Sequence, residues 1–254
     1  MNFLKRLNSK TLLPILVLIF SLSFWQIITM VFDISAFLLP SPLSIFTEAL
    51  RQKALLMKAT SYSFLISLSA WCLSLIFGPL FGFILCLSPF CKKAFYPYAV
   101  LFQTIPIVAI APLVILWLGP GWTAMISISF FVSIFPLITS SFQGLIQTPK
   151  NYLEMLKTLN ASPVQTWLKL RLPASLPYLV SGAKTSAGLA VVGSVVGEYF
   201  TGISEVEGLA YIIRSSQMQV NYPLLFAASI MTAVLGICFC TLIEKLGEQF
   251  LERK

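Results

Sequence analysis

Few residues in this chain could carry chemistry. It has nine Asp and Glu, no His, and five cysteines at positions 72, 86, 91, 238 and 240. Acid–base or metal-assisted reactions need such groups clustered. With no CxxC spacing and no histidine, the cysteines read as reduced, buried thiols, and we expect no metal site. No glycine-lysine phosphate loop is present. We therefore expect no catalytic residue and no cofactor bound by this chain. One carboxylate stands apart. Glu198 is the only acidic residue within the membrane spans assigned below, and an ionisable group at such a place is a functional candidate by default. Lys184 precedes it by 14 positions, or roughly 21 Å of helix, which puts the two near opposite ends of one span. Lys184 fits snorkelling to the interface or a solute contact. Glu198 fits an outer gate or an ordinary interfacial acid.

The elements that position these residues follow from composition. The 254 residues are 57% hydrophobic and 10% charged, with a mean hydropathy of +0.89. Soluble domains carry about 25% charged residues, so this is an integral membrane protein. The net charge of +8 is a topology signal rather than a nucleic-acid footprint, since no nucleic-acid motif accompanies it. A crossing takes about 20 apolar residues. That rule assigns spans near 11–32, 62–87, 95–117, 122–146, 178–200 and 223–243, making one all-α membrane domain over 1–254. Residues 94–149 hold 56 positions without a charge, too long for one crossing. "LGPGW" at 118–122 divides them, because Gly-Pro-Gly breaks helices. The first run follows Lys5, Arg6 and Lys10 and could be read as a signal peptide. Its length and the lack of a small-residue cleavage site favour a retained span.

Six spans place both termini, the 88–94 loop and the 148–177 loop on one side. That side carries Lys5, Arg6, Lys10, Lys92, Lys93, Lys150, Lys157, Lys169, Arg171, Lys245, Arg253 and Lys254, twelve in all. The other side carries four: Arg51, Lys53, Lys58 and Arg214. The imbalance predicts cytoplasmic termini. On the outer side, 43–58 reads as a short amphipathic helix started by "PSP", either lying on the lipid surface or receiving an outside partner. The fifth span presents small residues at Gly182, Ser186, Gly193, Ser194 and Gly197. Gly193 and Gly197 have GxxxG spacing, as do Gly78 and Gly82 in the second span. Such faces let helices approach closely, within one subunit or between two.

The segment 148–177 is unlike its neighbours. Tyr152, Met155, Leu156 and Leu159 fall at i, i+3, i+4 and i+7, which predicts one apolar stripe. Lys150, Glu154, Lys157 and Thr158 lie opposite. Asn160 can close this helix in a left-handed cap. Ser162, Pro163 and Gln165 open a second one with a capping box and a proline at the first helical position. Val164, Trp167 and Leu168 form its apolar side, and Pro173 is expected to end it. The pattern specifies a helix–turn–helix elbow, too short for a domain and shaped to sit in a groove of a cytoplasmic partner or to cap a bundle.

That segment resembles the EAA loop of ABC-importer permeases: E-A-A, three residues, G, nine residues, I-x-L-P. Here it reads "EML" at 154–156, Asn160, and "LRLP" at 170–173, with Met155 and Leu156 for the alanines, Asn160 for Gly and Leu170 for Ile. "LLPSP" at 38–42 and "VVGSVVGEYFTGISEVEGLAYII" at 191–213 resemble the nitrate/sulfonate/taurine permease group, which also includes transporters for the pyrimidine precursor of thiamine. The resemblance implies a type I ABC importer permease-like fold, with six transmembrane helices and a cytoplasmic coupling-helix loop. It implies that Glu154, Met155, Leu156, Asn160, Leu172 and Pro173 couple to an ATP-binding subunit that uses the ATP. It also implies an extracytoplasmic solute-binding protein, a second copy of the chain and a bacterial inner-membrane location. By the same resemblance the fifth span lines the pathway, making Ser186, Gly193, Ser194, Gly197 and Glu198 its candidate residues. The solute expected is small and polar or anionic, a thiamine pyrimidine precursor in preference to sulfonate, taurine or nitrate. Two other classes fit less well. A membrane-embedded enzyme needs clustered carboxylates or His that are missing, and a secondary transporter is disfavoured by the absence of an internal repeat. Membrane lipid is the surrounding solvent, and no nucleic-acid partner is expected.

Overall fold

The computed structural model describes residues 9–201 and 207–252, almost all of them helical. Lys5, Arg6, Arg253, Lys254 and the outer-loop position Ser204 lie outside these residues. The first span is α1, Ser9–Val31. It stands largely apart, held at one end by Trp25 against Phe226 and by Gln26 Oε1, which accepts from the Leu43 N–H at 3.1 Å. Helix α2, Pro42–Arg51, is capped by the Ser41 hydroxyl. Helix α3, Lys53–Leu87, begins at once after Gln52. The expected amphipathic helix 43–58 is therefore cut at 52. The second span starts nine residues earlier than expected, since no breaker separates Lys53 from the apolar run. Lys58 remains satisfied on the helix by Glu207 at 4.0 Å.

The expected third span, 95–117, is not one straight helix. Helix α4, Pro89–Thr104, and helix α5, Ile107–Leu118, meet at an angle of 98°. The cause is Pro106, which drives Ile105 out of the helical region to φ −71°, ψ 126°. The break at 118–122 appears as foreseen, with Gly119 and Gly121 at φ +76° and +139°. Helix α6, Trp122–Ile146, follows. Helix α7 is Lys150–Thr158 and α8 is Pro163–Thr166. A π-turn, Trp167–Arg171, then leads directly into α9, Leu172–Thr201. The expected stop at Pro173 does not occur, and the fifth span is continuous from Pro163 to Thr201. The widened turn, with the Leu172 N–H bonding Trp167 O, takes the backbone past a residue that has no N–H of its own. Helices α10, Leu209–Met218, and α11, Tyr222–Glu252, complete the chain. Among the described residues, five helices are long and apolar enough to cross a membrane, six when the bent α4–α5 pair is taken as one span.

The core is the contact of α3, α6 and α9. Close approach depends on glycines: a Cβ at Gly78 would strike Leu137 Cβ, at Gly82 Ser141 Cβ, and at Gly193 the Cα of Ser129. Serines fill the seam. Ser67 donates to Ser194 Oγ at 2.9 Å, Ser129 to Ala190 O at 2.6 Å, and Ser74 and Ser133 hydroxyls are 2.7 Å apart. Interhelical polar ties of this sort contribute about 0.6 kcal/mol each in membrane bundles. Helix α11 packs on the far side of α9, with Phe239 buried between Phe64 and Trp71 of α3.

Candidate functional site

The elbow at 150–173 is built by its caps. The Asn160 N–H bonds Lys157 O and the Ala161 N–H bonds Leu156 O, both at 3.0 Å, while Asn160 takes φ +54°. These are the paired bonds of a left-handed helix stop. Ser162 Oγ accepts from the Gln165 N–H at 3.2 Å, and Gln165 Oε1 accepts from the Ser162 N–H at 2.9 Å, closing the capping box. The two helices are joined by a turn with no slack.

The apolar stripe points away from the chain. Tyr152, Met155 and Leu159 are exposed, and so are Val164 and Leu168 beyond the turn, Leu159 at 66% and Val164 at 65%. Of the expected stripe, Leu156 alone is partly covered. Trp167 departs from its expected side. It turns inward, its ring edge-on to Phe83 at 4.9 Å between centroids, with the Arg171 guanidinium 4.9 Å from its own ring. Trp167, Arg171, Leu153 and Lys157 line a cavity of about 320 Å³ behind the elbow. So one face is fastened to the end of α3 and the other offers five large apolar side chains to the outside. Glu154 lies on the opposite side of α7 by helical spacing, exposed and without an ion-pair partner among the described residues. Leu172 and Pro173 are exposed at the start of α9. An exposed apolar patch of this kind marks an interaction surface.

The five candidate residues of α9 are brought together, but on its inward face. Ser186 Oγ donates to Ser133 O at 2.6 Å. Gly193 abuts Ser129, and a Cβ at Gly197 would lie 3.0 Å from Met125 Cα. Ser194 is fully buried against Ser67. Glu198, 1% exposed, reaches the start of α10: its Oε2 accepts the Ala210 N–H at 2.9 Å, and the Ser63 hydroxyl beside it accepts the Leu209 N–H at 2.9 Å. Two of the free donors at the α10 N-terminus are thus capped by side chains of α3 and α9. Gly208 leaves the room this needs, since any Cβ there would overlap the carboxylate. Glu198 is buried, and it fastens α10. Lys184 forms an ion pair with Glu244 of α11. The open stripe of α9 is Ser181, Thr185 and Val192, with Leu189 partly covered.

Two features went unread in the sequence. One is the α4–α5 break, signalled by Pro106 alone. The other is the cap on α10, for which "EGL" at 207–209 was the available signal. All five cysteines are free, and no group of three metal-ligating side chains exists among the described residues.

Comparison with known proteins agrees with this geometry. Residues 74–250 match the family described as binding-protein-dependent transport system inner membrane component. A probable ABC transporter permease protein of Haemophilus influenzae is 32% identical over 95% of this chain and 98% of its own length. The formylaminopyrimidine transport permease protein ThiX of Halalkalibacterium halodurans is 29% identical over 88% of this chain and 91% of its own. The putative aliphatic sulfonates transport permease protein SsuC of Bacillus subtilis is also 29% identical, over 92% and 82%. Among solved structures, a chain of the inward-facing methionine ABC transporter MetNI superposes with a TM-score of 0.65 at 18% identity, covering 80% of this chain and 97% of that one.

Proposed function

Because this chain belongs to the family of binding-protein-dependent transport system inner membrane components, we propose that it moves a thiamine pyrimidine precursor across the membrane as one half of a two-fold permease. The family fixes the coarser role: the chain is the multi-pass permease subunit of a bacterial ABC importer, and ATP is hydrolysed by a separate subunit. The finer reading takes the elbow as the coupling surface. ATP binding closes a pair of cytoplasmic ATPase subunits and draws the two elbows together. The spans then open outward to a solute-binding protein, and hydrolysis resets them. Both termini and the elbow face the cytoplasm, as the basic loops require. Two copies related by a two-fold axis match the commonest closed assembly.

The observation that carries the coupling role is the outward apolar face of α7 and α8, with Glu154 exposed on the same short helix and without an ion-pair partner among the described residues. It is tested with Glu154→Lys in the purified complex. Uptake should fall while the ATPase either dissociates or hydrolyses without transport. Wild-type uptake and assembly would remove this reading. For the solute, the similarity to ThiX and the scarcity of charge within the spans support a pyrimidine over an anion. Sulfonate, taurine or nitrate is the alternative, as the similarity to SsuC allows. Measuring what the cognate binding protein holds decides it: binding of taurine or nitrate with no affinity for aminopyrimidines would overturn the solute and leave the importer standing.

A further inference from the structure

The break between α4 and α5 falls midway along the expected third span, 95–117, which puts it at membrane depth in that reading. Ile105 and Pro106 are both extended, at ψ 126° and 118°. The last turn of α4 is left with carbonyls that have no helical partner. One of them, Leu101 O, accepts the Thr104 hydroxyl at 2.7 Å. Gln103, Thr104, Ile105 and Pro106 are all exposed on this chain. Lipid cannot solvate such groups. Irregular backbone at this depth is tolerated where protein covers it or where it lines water.

A cavity of about 300 Å³ lies at the break. Phe102, Phe131, Phe135, Gln103 and Leu189 of α9 are among the residues that line it. The Phe102 and Phe135 rings lie parallel to within 9°, with centroids 6.2 Å apart. No charged residue lines it. A larger cavity of about 490 Å³ adjoins it across the same three phenylalanines, lined by aromatic and aliphatic residues without an amide or a charge.

The geometry points to a solute contact site at the α4–α5 break, where Gln103 and the three phenylalanines receive a flat, uncharged, hydrogen-bonding heterocycle in transit. This rests on the importer reading and adds where within the membrane the solute is met. Aromatic walls favour a planar ring. A carboxamide both donates and accepts, matching a ring nitrogen beside an amino group, and the free carbonyls of the break add acceptors. A sulfonate or nitrate would shed its water here with no counter-charge to replace it. The inward face of α9, where the seam is closed by Ser129 and Met125, offers no such opening.

The test uses the full chain assembled with its ATPase in liposomes, where co-purification and ATP-driven uptake by the wild type are scored first. Gln103→Cys is then exposed to a charged, membrane-impermeant thiol reagent, and modification is read peptide by peptide, so the five native cysteines do not interfere. Leu18→Cys, at the middle of the lipid-exposed α1, is the reference. Position 103 should react about tenfold faster than position 18, because the reagent needs water. An excess of a neutral aminopyrimidine should slow the reaction at 103, and taurine should not. In parallel, Gln103→Leu should lower aminopyrimidine uptake about tenfold, the scale of one lost buried hydrogen bond, and Gln103→Asn should restore part of it. Position 103 as inert as position 18, equal protection by taurine, or full uptake in Gln103→Leu would each overturn the site while leaving the importer intact. A wild type that neither binds an ATPase nor transports would instead overturn the reading beneath it.

Discussion

The elbow at 150–173 and the inner face of α9 are joined by a single continuous helix, yet they solve opposite problems. On the elbow, five large apolar side chains face outward and short-range caps hold the backbone. On α9, glycine and serine face inward, and long-range contacts with α3 and α6 hold everything. Large exposed side chains make a handle, while small buried ones make a seam. The difference teaches that a departure from the surrounding composition has to be weighed by side-chain size and by what the local backbone can satisfy unaided. An elbow with its own caps can stand clear of the bundle, whereas a run of Gly and Ser has no stability until another helix covers it.

This contrast predicts where substitutions hurt most. Gly193→Leu should be the most damaging, because its Cβ would meet the Ser129 backbone rather than a movable side chain. Overpacking of this kind costs about 1–3 kcal/mol or more. The expected outcome in thermal unfolding of the detergent-solubilised protein is loss of the folded chain itself, not a folded complex with a blocked path. A stably folded Gly193→Leu would break the seam half of the comparison. Next comes Gly208→Ala, which forces the Glu198 carboxylate off the α10 N-terminus. It should lower stability by about 1–2 kcal/mol and raise hydrogen exchange selectively in α10. Exchange raised equally along α9 would show that Glu198 supports the whole span instead.

On the elbow, Leu159→Ser should change stability by less than about 0.5 kcal/mol, since the side chain touches little. It should nonetheless weaken ATPase retention on a size column. A large loss of stability there would mean that the stripe packs against this chain after all. Smallest of all, Asn160→Gly should be neutral to within a few tenths of a kcal/mol, as glycine accepts φ +54° without strain. Asn160→Val should cost about 1–2 kcal/mol locally, visible as increased protease sensitivity at 158–163.

How much of this was legible in sequence depended on the range of the interaction. The elbow's stops and starts are local: Asn160, Ser162, Pro163 and Gln165 act on neighbours within five residues, and each behaves as read. The spans were legible from charge gaps, because twenty apolar residues have one use. The 95–117 span is present but bent, and the bend was not legible because Pro106 looks no different in sequence from Pro97 and Pro112, which helices here tolerate. Pro173 misled for the converse reason. Its helix continues through a π-turn braced by Trp167 on Phe83, a contact 84 positions apart in sequence. Periodicity found the small-residue face of α9 but could not say what lies against it. Glu198 reads as an isolated acid until α10, which starts at Leu209, is packed against it.

As a docking surface for a cytoplasmic ATPase subunit, the elbow must lie within crosslinking reach of that subunit. Thr158 is exposed at the end of α7, next to Leu159 in sequence, its hydroxyl turned back to Met155 O at 2.8 Å. A bifunctional crosslinker attached to Thr158→Cys in the assembled complex measures this directly. The account predicts a crosslinked species of permease and ATPase subunit, its yield changing when ATP is added and falling sharply in Glu154→Lys. A complex that retains its ATPase and drives uptake, yet gives no crosslink from position 158, would contradict it.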